Sequence, residues 1–223
     1  MEAGHLNAFD EIRVFEKIAR GSRDCAKQSI VWGHRWWCHT HLYGTFGPTI
    51  APNIPTLKNW ATPTEIHFFP KLPLSAVRQE FDLIRHTCGT YPRNYHAWTY
   101  WHSVANVCYA SSYDPEAREE QQGFLDLLLR EYEDLRAWVD LHVSDYSAIH
   151  QLCQLGSLIQ ALPVAGRTRT AGLPYDFSAS LLEHALSLLQ SYPSHESLWL
   201  YLRFVLGEQE PGKRRYKIGR AHV

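Results

Sequence analysis

No run of about 18 apolar residues occurs in this chain, and charges are scattered through residues 1–20, so neither a membrane-spanning helix nor a signal peptide is expected. Charge of one sign is also missing. Lys and Arg number 22 against 23 Asp and Glu, for a formal net charge of −1. That balance argues against nucleic acid or an anionic membrane as the main partner, since both select a strongly basic surface. No CxxC pair is present. The five cysteines (Cys25, Cys38, Cys88, Cys108, Cys153) are scattered and odd in number, as reduced core thiols are, which points to a cytoplasmic protein without disulfides. There is no GxSxG elbow, and "GTFGPT" (44–49) lacks the lysine and the following helix of a phosphate-binding loop. Asp145, Ser147 and His150 lie close together, but at a helix start, where Asp145 caps. Cys38, His39 and His41 of "CHTH" point in different directions on a helix, and no second ligand pair stands at finger spacing. No metal site or cofactor is therefore expected on this chain.

What the chain does have is 223 residues, 45% hydrophobic and 20% charged, a folded composition long enough for a sizeable core. Eight tryptophans and twelve tyrosines are a heavy aromatic load, of the kind that locks one helical hairpin onto the next. The string "YPRNYHAW" (91–98) has a weaker copy, "YPSHESLW" (192–199). Aligned on the last residue, two further copies emerge, "CAKQSIVW" (25–32) and "HVSDYSAI" (142–149). The anchors are Trp32, Trp98, Ile149 and Trp199, with later intervals of 51 and 50 residues. The first interval, 66 residues, contains a stretch rich in proline and glycine, 44–73, which reads as an inserted loop.

The segment before each of the last three anchors has helical periodicity. "LSAVRQEFDLIRHTC" sets Leu74, Val77, Phe81 and Ile84 at three- and four-residue spacing with charges between; "FLDLLLREYEDLRAWVDL" and "FSASLLEHALSLLQ" behave alike. A second apolar helix follows each anchor. The acidic run "DPEAREEQQ" (114–122) reads as the solvated first turns of a helix. A helical hairpin at fixed period predicts an all-α fold, an α-α superhelix or solenoid of stacked hairpins forming one domain over 1–216. Within the opening string, Pro92 stops the incoming helix and Asn94 caps the outgoing one; Asp145, and Ser194 or His195, take similar places. Trp98 is a core ring one turn in.

These residues resemble the repeat of protein prenyltransferase α subunits, which runs roughly Lys/Arg-Asn-Tyr-x-x-Trp-x-x-Arg. "RNYHAW" carries the motif, "VWGHRWW" (31–37) keeps the His34-Arg35 pair after the tryptophan, and "HVSDYSAIH" and "SYPSHESLW" are similar to later repeats. The likeness covers about residues 7–207 apart from the inserted loop. The repeat's arginine survives only as Arg35; Trp101 replaces it in the second copy, and Leu152 or Leu202 later. The resemblance implies a crescent of hairpins wrapped around a separate β subunit, in the manner of the Rab geranylgeranyltransferase heterodimer. That β subunit would hold the zinc and the isoprenoid diphosphate, and the protein substrate would carry a C-terminal cysteine. It also implies that Arg93, Tyr95 and His96 face the diphosphate or substrate, with Arg93 neutralising charge on the leaving group. Trp32, His34, Arg35, Asn94, Trp98, Asp145 and Trp199 would be structural repeat residues. A non-enzymatic helical-repeat scaffold is the alternative from a different class. The last residues, "KIGRAHV" (217–223), match the translation of a common sequencing adapter and are set aside as a suspected non-native tail, so the chain is expected to be a fragment that ends early.

Overall fold

The computed structural model describes residues 7–46, 69–112, 114–161 and 177–208. Within these the chain is all-α, and the only strand-like feature is one isolated bridge between Thr45 and Pro70. The helices are α1 (Ala8–Gly21), α2 (Arg23–Ala26), α3 (Ser29–Tyr43), α4 (Leu74–Thr90), α5 (Tyr95–Ser111), α6 (Gln121–Leu141), α7 (Tyr146–Gln160), α8 (Phe177–Ser191) and α9 (Glu196–Glu208). Two compact units divide within α6, Met1–Asp134 and Leu135–Val223. The tail at 217–223 and most of the inserted stretch lie outside the described residues.

Each anchor is the fourth residue of its helix: Trp32 in α3, Trp98 in α5, Ile149 in α7 and Trp199 in α9. The connections before the last three have one length, residues 91–94, 142–145 and 192–195. Caps account for that regularity. Asn94 Oδ1 accepts from Ala97 N at 3.1 Å, and Asp145 Oδ1 accepts from Ala148 N at 3.1 Å. The six-step spacing that defines the repeat has its own physical reason. Trp32 Nε1 donates to Ala26 O, six residues back, at 2.8 Å, and Trp199 Nε1 donates to Pro193 O, also six back, at 2.8 Å.

In the first unit, α3, α4 and α5 bury Trp32, Val77, Phe81, Ile84, Trp98 and Trp101. Phe81 lies 5.5 Å from Trp101 and Trp98 lies 6.4 Å from the same ring. The start of α6 approaches α4 so closely at Gly123 that a Cβ there would stand 2.5 Å from Leu74 Cδ2. The flanks of the insertion meet: Phe46 N donates to Phe69 O and Lys71 N to Gly44 O, both at 3.0 Å. Gly44 has φ 68°, a turn that favours glycine.

In the second unit, α7, α8 and α9 bury Leu152, Leu155, Leu158, Ala185, Leu198 and Tyr201. His184 links Asp140 (2.7 Å) to the Tyr201 hydroxyl (3.1 Å). Successive turns are also tied. Ser144 Oγ and His195 Nδ1 are 3.0 Å apart, Tyr146 Oη donates to Glu196 at 3.2 Å, and Ser197 Oγ donates to Val143 O.

Two expectations change. Trp199 is not a core ring: it is 54% exposed, and its indole nitrogen donates to the Pro193 carbonyl. The acidic run does not open an α-helix. Asp114 is buried and caps a single 3-10 turn, Pro115–Ala117, while Lys71 pairs with both Asp114 and Glu116; α6 begins only at Gln121.

Burial separates the two tryptophans sharply. Trp98→Ala should cost about 3–5 kcal/mol by chemical denaturation, because Trp98 is 1% exposed. Trp199→Ala should cost about 1 kcal/mol or less, in line with a mostly solvated ring and one lost hydrogen bond.

Candidate functional site

The turn at 91–94 and the end of α2 build one edge of the first unit. The Ala26 carbonyl accepts twice, from Trp32 Nε1 at 2.8 Å and from Asn94 Nδ2 at 3.0 Å. Asn94 thus caps α5 with its oxygen and ties the preceding hairpin with its nitrogen, and it is buried. Tyr91 Oη donates to Arg20 O at 2.9 Å, and Lys27 Nζ donates to Pro92 O at 2.8 Å.

These bonds hold Arg93 outward in a left-handed conformation, φ 61°, the one non-glycine residue of that kind among those described. Arg93 is exposed, Tyr95 is 66% exposed and His96 is half-buried, its ring 5.4 Å from that of Tyr95. Neither Arg93 nor Lys27 has an ion-pair partner among the described residues. The edge therefore presents two neighbouring cations and a phenol, an arrangement suited to an anion.

Sequence reading placed Arg93, Tyr95 and His96 together, and the structure keeps them on one turn with Lys27, which it missed. Its signal lay in the repeat alignment: Lys27 stands five residues before Trp32, the place that Arg93 holds before Trp98.

Behind this edge lies a buried polar cluster. Arg35 Nε and Nη2 donate to the two oxygens of Glu80 at 2.8 and 2.5 Å, and Arg35 Nη1 donates to Ile12 O at 2.6 Å. His39 Nε2 is 2.9 Å from Glu80 Oε1, and Tyr100 Oη donates to Glu80 Oε2 at 2.8 Å. Burial pushes the Glu80 carboxyl up, but the Arg35 charge and the Arg35 and His39 hydrogen bonds outweigh it, bringing it down to about 2.

Glu131 of α6 is the counterpart 51 residues on. Arg85 Nη1 reaches it at 2.8 Å and Trp101 Nε1 at 3.3 Å. With fewer donors, burial prevails and lifts its carboxyl to about 7. Arg35 is therefore a core residue, as the repeat role implied. Glu80 and Glu131 were read only as charges between apolar positions.

The expected divergence of "CHTH" is observed. Cys38 turns to Glu11, His39 to Glu80, and His41 stacks on Trp37 with centroids 5.5 Å apart. His34 reaches across to Glu11 at 2.5 Å. Asp145 caps α7, its Oδ1 accepting from Ala148 N. Cys25 is exposed, whereas Cys38, Cys88, Cys108 and Cys153 are buried.

Two stretches, residues 77–106 and 179–209, match the protein prenyltransferase alpha subunit repeat. They span the second and fourth copies and include both "YPRNYHAW" and "YPSHESLW". Both stretches are similar to that repeat. It is 26% identical over 206 residues to human protein prenyltransferase alpha subunit repeat-containing protein 1, covering 80% of this chain and 46% of that protein. The Danio rerio protein of that name is 28% identical over 154 residues, covering 58% of this chain and 33% of the relative. The Xenopus laevis 1-B form is 26% identical over 153 residues, covering 57% and 33%. The chain thus spans between a third and a half of the length of these repeat proteins.

The two buried acids predict opposite pH slopes. Folded Glu131 holds its proton more tightly than a free glutamate, so the stability it lends is complete below about pH 4.5 and is lost as pH rises to about 7. Folded Glu80 releases its proton more readily, so its contribution is complete above about pH 4.5 and lost as pH falls toward 2. Urea titrations from pH 4 to 8 should show a flatter fall in stability for Glu131→Gln than for the parent chain. Arg35→Ala should cost about 3–5 kcal/mol at neutral pH by stranding the Glu80 charge.

Proposed function

We propose that this chain is an α subunit, or the repeat-bearing part of one, in a heterodimeric protein prenyltransferase. It supports transfer of an isoprenoid, geranylgeranyl in this reading, from its diphosphate to a C-terminal cysteine of a protein substrate. The observation that carries the reading is that the matched repeat at 77–106 includes the exposed Arg93 and Tyr95, with Lys27 bonded to the same turn through the Pro92 carbonyl. The β subunit would hold zinc and the isoprenoid diphosphate, and zinc would keep the acceptor cysteine as thiolate. As the carbon–sulfur bond forms, the bond from isoprenoid C1 to the diphosphate breaks and negative charge collects on the departing oxygens. In this reading Arg93 and Lys27 would meet that anion, with Tyr95 and His96 near Arg93. Asn94 and Trp98 act indirectly, by fixing the turn.

The test is co-expression with a Rab geranylgeranyltransferase β subunit, followed by transfer from geranylgeranyl diphosphate to a cysteine-terminated protein. A stable complex with transfer is expected. Arg93→Glu should lower kcat/KM roughly tenfold or more, since it reverses a cation at the developing charge. Arg93→Gly should also lower transfer while raising stability by about 0.5–1 kcal/mol, because glycine adopts the left-handed backbone freely. A complex without transfer would replace this reading with the helical-repeat scaffold. Failure to form any complex would sink the β-subunit partnership.

A further inference from the structure

Away from the turn edge, Glu11 of α1 converges on His34 and Cys38 of α3. His34 and Cys38 stand four residues apart and so share one helix face. Glu11 sits in the first turn of α1, whose start is capped by Asn7. Its Oε2 lies 2.5 Å from His34 Nε2 and 3.6 Å from Cys38 Sγ, and the three donor atoms all fall within 4.8 Å of one another.

Zinc bonds of roughly 2.0–2.3 Å place tetrahedral ligands about 3.3–3.7 Å apart. The His34–Glu11 pair would open by about 1 Å, while Cys38 Sγ already stands at that separation from Glu11 and would close on His34 by about 1 Å at most, within the reach of side-chain torsions. The imidazole plane is already held, with the Phe15 ring 4.6 Å from His34 and the Trp37 ring 5.5 Å on. Cys38 is buried, while the side chains of Glu11 and His34 are 26% and 34% exposed, which leaves an entry path from solvent.

We propose that Glu11, His34 and Cys38 form a zinc(II) site with one coordination position open to water. The donor set chooses the metal. A thiolate with an imidazole and a carboxylate suits zinc and excludes calcium and magnesium, which take oxygen ligands. Without metal, Glu11 accepts from both partners, so the cluster is satisfied and the fold does not depend on the ion. On binding, the Cys38 S–H proton leaves to solvent, and the proton that His34 Nε2 gave to Glu11 passes by way of solvent to Nδ1, which frees the Nε2 lone pair for the metal. This site is separate from the zinc assigned to a β subunit and stands whether or not the prenyltransferase reading holds.

The test uses the 223-residue chain, metal-stripped and reduced, titrated with cobalt(II) as an optical stand-in. One equivalent should produce a thiolate-to-cobalt charge-transfer band with intense tetrahedral d–d absorption, both displaced by zinc(II). Cys38→Ser should abolish the charge-transfer band, and Glu11→Gln and His34→Ala should each weaken binding roughly tenfold or more. Zinc should raise Tm for the parent chain and not for Cys38→Ser, since a ligand of the native state stabilises it by mass action. Cys25→Ser, at the exposed thiol, should change neither signal. Cys38→Ala stands in if Cys38→Ser does not retain its helical circular dichroism. A charge-transfer band that is absent, that survives loss of Cys38, or that disappears with Cys25 would overturn the assignment.

Discussion

A carboxylate removed from water must receive hydrogen bonds from several sides, and Glu80 collects them from three residues on two other helices. Arg35 and His39 come from α3 and Tyr100 from α5, while the spare Arg35 nitrogen holds the Ile12 carbonyl of α1. Four helices are thereby fixed to one charge. Trp32 and Trp36 pack around Tyr100, with centroids 5.2 and 5.8 Å away, and exclude solvent from the cluster. Such a network adds little net stability over an apolar core of the same shape, but losing any member is costly. Its effect is to specify one register of α3 on α4.

The same position explains how the copies drift apart. Arg35 and Trp101 are separated by 66 residues, the interval between the first two anchors, and each donates to the acid of the following hairpin. The indole supplies one donor where the guanidinium supplies two, and Glu131 is correspondingly harder to ionise than Glu80. In the third copy the place falls to Leu152, which is fully buried. The missing repeat arginines are thus a graded exchange of buried charge for buried hydrocarbon, a change that leaves hairpin stacking intact.

Much of this was legible in the residues. Fixed period, proline stop and asparagine cap predicted the hairpins, because these are local rules acting through a few neighbouring backbone groups. Tertiary pairings escaped. Glu80 and Glu131 look like surface charges, since burial depends on which donor a different helix delivers. Lys27 shares the repeat position of Arg93, but that the two meet on one edge follows from its bond to the Pro92 carbonyl, 65 residues away. Trp199 shows the opposite failure: the pattern marks it as core, but its ring lies exposed in α9. His34 and Cys38 were visible as an i, i+4 pair, but Glu11, which brings them to one point, lies 23 residues before His34.

The antiparallel bridge at the base of the insertion makes the first hairpin modular. Gly44 and Phe46 are already bonded to Lys71 and Phe69, so α3 and α4 are held at their near ends by the bridge itself. Whatever joins Phe46 to Phe69 closes a loop whose ends are already pinned, and the entropy of closure grows only with the logarithm of length. This is a place where sequence can be added or removed over evolutionary time, or a tag or sensor inserted in the laboratory, while the Glu80 cluster and the turn edge keep their geometry.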